Sequence, residues 1–114
     1  MIPQILNEVR ETCTVVGPTD DIVLTGQTTD KFPFSNFLLD LDTVLYKVAD
    51  YNGNWESGIG EYNIFTNALK RLTVISSSNA DTYVDFPAGL KIIYSALDGK
   101  IAAQMIENIA YPYW

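Results

Sequence analysis

Three pairs of carboxylates lie close together in this 114-residue sequence: Asp20-Asp21, Asp40/Asp42 and Glu56/Glu61. Paired carboxylates can divide acid from base work or hold a hard cation. A calcium loop, however, alternates its oxygen ligands around a central glycine and closes on a glutamate. The run DLD (Asp40 to Asp42) supplies neither. All three pairs are therefore expected on the solvated surface, where charged side chains ordinarily sit.

Nucleophiles fare no better. Cys13 and the run Ser76-Ser77-Ser78 have no histidine to activate them, because the chain contains none. A Ser–Lys pair with Lys70 or Lys91 is possible by count alone, and no spacing supports it. The missing histidine also removes the commonest zinc ligand. Gly58-Ile59-Gly60 is not a phosphate cradle, since neither a helix pattern nor a lysine follows in the required place. No catalytic residue, metal or cofactor is expected, and Cys13 is read as a small buried or half-buried side chain.

Two aromatic features remain. Trp55, beside Asn52, Asn54 and Glu56, suits stacking on a sugar ring, which would make the chain a carbohydrate-binding module. The preferred alternative packs Trp55 across a hairpin onto Tyr46 or Val48. Tyr111, Tyr113 and Trp114 form the second feature, stiffened by Pro112. Burying each such ring is worth roughly 1.5–3 kcal/mol. They are expected either to fold back on their own domain or to dock on a neighbouring subunit as partner-interface anchors.

The elements that must position these residues read as one domain, 1–114, with an aromatic tail from about 100 onward. Fourteen acidic against seven basic residues give a net charge of −7. That balance argues against nucleic acid and against anionic membranes. One cysteine implies no disulfide framework, and MIPQILNEVRE has neither the basic nor the apolar region of a signal peptide. A cytoplasmic setting is expected before any assembly.

Turn residues recur between β-branched and aromatic runs, which predicts an all-β domain. Strands are expected over Val9–Val16, Asp21–Thr25, Thr43–Asp50, Trp55–Tyr62, Leu72–Ser76, Thr82–Phe86 and Leu90–Leu97. Asn52-Gly53 predicts a tight hairpin, and Gly58 and Gly60 a bulge or a close backbone approach. Thr28–Asp42 reads as a packed loop with room for one helical turn. The expected fold is a small antiparallel β-sandwich or barrel of about six to eight strands. Ile101, Met105 and Ile109 fall at helical spacing, so a short C-terminal helix is expected, with a strand from Lys100 as the alternative.

VRETCTVVG (Val9–Gly17), LTG (Leu24–Gly26), DTVLYKVADYNGNWESGIGEY (Asp42–Tyr62), LKRLTVISSSN (Leu69–Asn79) and VDFPAGLKIIYSAL (Val84–Leu97) occur here in that order. Together they resemble a small β domain of tailed-bacteriophage virion proteins, found at the amino end of tail fibres and tail spikes or as a stand-alone structural protein. The resemblance spans about four-fifths of the chain. It departs at Leu41, where that family tends to have glycine, at Glu61 in place of threonine, and at Leu90 in place of a small polar residue. It carries no catalytic motif. It implies a virion structural protein, assembled in the host cytoplasm, that contacts copies of itself as a homotrimer and other virion proteins of the tail, portal region or capsid. A tail-fibre or appendage mounting module is the reading adopted; a capsid decoration (cement) protein is the alternative.

Overall fold

The computed structural model describes residues 3–95. Six antiparallel strands close into a barrel: β1 (Arg10–Thr14), β2 (Ile22–Gln27), β3 (Thr43–Ala49), β4 (Trp55–Asn63), β5 (Ala68–Ser77) and β6 (Leu90–Ser95). Their order around the barrel is β1-β2-β5-β4-β3-β6, so no strand of the six is left as an open edge. Among the described residues, no helix is long and apolar enough to cross a membrane. The helix expected from Ile101 and the aromatics Tyr111, Tyr113 and Trp114 lie outside the described residues.

Alternation decides which side chains fill the barrel. Val44, Tyr46 and Val48 of β3 point inward with Cys13 of β1, Ile22 and Leu24 of β2, Tyr62, Leu69 and Ile93. A barrel this small has no lumen, because its own side chains occupy it. The loop Thr28–Asp42 plugs one end: a single 3-10 turn, Phe34–Asn36, carries Phe34 into the core, and Leu38 follows. β6 pairs with β3 from Ala49 to Tyr46 within the described residues, and the amino-terminal segment bridges to β3 at Val44. Gln4 bonds to both sides of Val44, donating to the Thr43 carbonyl and accepting from Leu45.

The hairpin and the glycines behave as their residue types demand, with one change. Gly53 takes φ +89° but Asn52 does not take positive φ, so the turn is a longer one than a two-residue hairpin. The Asp50 carboxylate holds it, accepting from the backbone of Asn52 and Asn54 and from Asn54 Nδ2. These bonds outweigh the effect of burial and hold the Asp50 carboxyl below its ordinary range. At Gly58 an added Cβ would lie 2.1 Å from the Thr73 carbonyl oxygen; at Gly60 it would lie 3.3 Å from Leu69 and from the Tyr46 ring. Both sit where the β4–β5 register shifts, so the bulge and the close approach coincide.

Thr82–Phe86 is not a strand. Its alternation survives, with Val84 and Phe86 buried, but only Phe86 makes a ladder bridge, to Gly17. The backbone of Val84 instead donates to Glu56 and accepts from Arg71. Side chains have taken the hydrogen bonds that a sheet partner would have supplied.

Candidate functional site

The residues with most chemical capacity gather in the barrel interior. Glu56, expected on the surface, is fully buried, whereas its supposed partner Glu61 faces the other way and pairs with Lys70 across the sheet. Arg71 projects inward from β5 and binds both Glu56 oxygens, Nη2 to Oε1 at 2.5 Å and Nε to Oε2 at 2.9 Å. The Tyr46 hydroxyl donates to Glu56 Oε2 at 2.6 Å. Arg71 also donates to the carbonyls of Gly17, Asp20 and Val84 and stacks near the rings of Tyr83 and Phe86. Burial opposes its charge, but the Glu56 carboxylate more than compensates, so the guanidinium is held even more firmly protonated than usual. Burial and the same carboxylate keep the Tyr46 hydroxyl protonated far above the ordinary phenol range. Both carboxylate oxygens accept from protein donors, so the cluster ties strands and loops together.

Other charged groups are also turned inward. Glu11 accepts from the Phe34 and Gly26 amides at 2.8 and 3.2 Å. Burial raises its carboxyl above the ordinary value, and these two bonds only partly oppose that. Lys91, two residues before Ile93 and on the same buried face of β6, donates to the carbonyls of Pro87 and Gly89. Cys13 is buried between them as a free thiol, which burial pushes up to about 12.

The remaining candidates fall into structural places. Asp40 accepts from the Ile64 amide, and Asp42 from the Leu39 amide and the Gln4 side chain. Ser77 is tied to the following turn through Thr82 and Asn79, and Ser78 to Trp55. Neither Lys70 nor Lys91 is brought to these serines. Among the described residues no group of three histidine, cysteine, aspartate or glutamate side chains could hold a metal. Trp55 is half-buried on the outer face, opposite Ala49 and diagonal to Lys47, whose ammonium sits 4.7 Å over the ring. Tyr46 and Val48 are on the inner face, so Trp55 packs against neither. A shallow cleft of about 430 Å³ lies between Glu8, Arg10, Lys31 and Tyr94, with Lys31 ion-paired to Glu8.

The feature the sequence reading missed is on the outside. At the end where β3 begins and β4 ends, the plug loop and the β4–β5 turn leave Phe32, Phe37, Leu39, Leu41, Ile64 and Phe65 exposed, Leu39 at 71% and Phe65 at 88%. The Asp40–Ile64 bond joins the loop to the turn, and Phe32 and Phe37 pack edge to face at 5.8 Å. Leu41 holds φ +70° there. Single exposed apolar residues are ordinary; here six are carried by one loop and one turn at the same end of the barrel. The signal lay in KFPFSNFLLDL, which has more large apolar residues than one plug can bury, and in Ile64-Phe65 inside a hairpin turn.

Comparison with family models, with curated proteins and with solved structures finds no match for this chain.

Proposed function

We propose that the chain is a non-catalytic structural module of a tailed-phage virion, a mounting or assembly piece for a tail fibre or similar appendage. It works through contacts between copies of itself, as a trimer, and with other virion proteins. The observation that carries this reading is the apolar barrel end: six large side chains held in water have a use only when another surface covers them. The resemblance across the strands supports the virion setting. Leu41 adds to it, since its φ of +70° is the backbone conformation that a glycine would take at that position. The interior supports it too, because its charged groups are consumed in holding strands together.

Negative-stain images of particles assembled without the protein test the proposal. Missing appendages are the expected outcome. Heads that break open with tails intact would move the chain to the capsid as a decoration protein, and particles unchanged in form and infectivity would end the virion reading.

A further inference from the structure

We infer that the apolar end of one barrel receives residues 108–114 of a second copy, so that copies join in a closed ring by exchanging tails. This rests on the reading of the chain as a self-assembling module. The receiving surface is Leu39, Leu41, Ile64 and Phe65, flanked by Phe32 and Phe37.

Three observations choose the tail as occupant. The first is direction: β6 runs toward the barrel end that carries the exposed rim, where Ser95 bonds to Val9 and pairs with Tyr46, so the chain that follows is headed to that end. The second is charge. Around that end the acids Glu8, Asp30, Asp40, Asp42 and Glu61 outnumber the bases Arg10, Lys31 and Lys70, so two rims placed face to face would oppose a net like charge. NIAYPYW (Asn108 to Trp114) has no charged side chain and four large apolar groups, Ile109, Tyr111, Tyr113 and Trp114, to match the rim. The third is reach: the twelve residues between, 96–107, span up to about 40 Å when extended, enough to cross to an adjacent barrel.

Placement at one end also selects the assembly. A tail and a receptor at opposite ends would propagate head to tail into an open filament. With the tail's point of departure and the receptor at the same end, a rotation about a single axis can return to the first copy and close the ring.

Sedimentation of the full chain and two variants tests this. Phe65→Asp spoils the rim; Tyr111→Ser/Tyr113→Ser/Trp114→Ser spoils the tail, and Leu39→Asp serves if Phe65→Asp misfolds by circular dichroism. The wild type should run as a trimer and each variant at about one-third of that mass. An equimolar mixture of rim and tail variants should regain a two-chain species, because each keeps the half that the other lacks. Variants that remain trimers, or a mixture that stays monomeric, would overturn tail exchange and leave the structural reading standing. A wild type that is monomeric at every concentration would overturn both.

Discussion

The two ends of this barrel each bury a carboxylate, and they treat it differently. At one end Glu56 is matched by Arg71, and the pair is roofed by Val84, Gly17 and Asp20. At the other, Glu11 is held by two backbone amides beneath the plug turn, and the surface above it is apolar and open to water. The first end puts charge inside and needs nothing further. The second puts rings and leucines outside, in water. The two ends thus differ along one short axis: a sealed ion pair ties the fold together at one, and exposed apolar side chains lie over the other. A buried pair of this kind adds less stability than its geometry suggests, because desolvating both charges offsets much of their attraction.

Breaking the sealed end should have the largest effect. Arg71→Ala leaves Glu56 buried and uncompensated, and a loss of about 3–5 kcal/mol in urea unfolding is expected. The double variant Glu56→Leu/Arg71→Met should recover part of it, because the unpaired charge is gone but the Tyr46 hydroxyl and the Val84 amide lose their acceptor. If Arg71→Ala lost less than about 1 kcal/mol, the pair would be behaving as a surface contact. Gly58→Ala comes next. Its Cβ would strike the Thr73 carbonyl, which is backbone and cannot swing away, and would crowd the Tyr46 hydroxyl at 3.2 Å. A loss of about 1–3 kcal/mol is expected, with Gly60→Ala well below it because its neighbours are side chains that can give. Equal effects at the two glycines would mean that the bulge at Gly58 is not the point of closest approach.

Much of the sealed end was legible in the sequence, and its charges were not. Alternation placed Val44, Tyr46 and Val48 inward, and Gly58 and Gly60 were recognisable as a bend. The same period put Glu11 with Cys13, Arg71 with Leu69, and Lys91 with Ile93, each on the inward face. The general preference of charges for water put Glu56 on the surface, yet each inward charge is satisfied: Glu56 and Glu11 by groups across the barrel, Lys91 by the carbonyls of Pro87 and Gly89. Such partners are far apart in sequence, Glu56 from Arg71 and Glu11 from Phe34, so nothing local announces them. Thr82–Phe86 failed for a related reason: alternation reports burial, and only long-range hydrogen bonding distinguishes a strand from a buried loop. The rim failed because irregular apolar runs in a loop read as core when there is no way to see how many of them the core can hold.

The open end yields the smallest effect and the sharpest contrast. Glu11 has its carboxyl raised by burial, so the folded chain keeps that proton at a pH where the unfolded chain, near its ordinary 4.5, has released it. Between those two values the native state binds more protons than the unfolded state, and stability therefore falls as pH rises through the window. Below 4.5 both states are protonated and the group contributes nothing to the slope. Glu11→Gln has no proton to lose, so it removes this slope while lengthening or losing one of the two amide contacts. Unfolding free energies of wild type and Glu11→Gln, measured from pH 4 upward, should show the wild type losing stability relative to the variant as pH increases. A difference that stays flat would mean that the Phe34 and Gly26 amides fully offset burial. A wild type that gained on the variant would mean that they outweigh it, leaving Glu11 as well settled without a cation as Glu56 is with one.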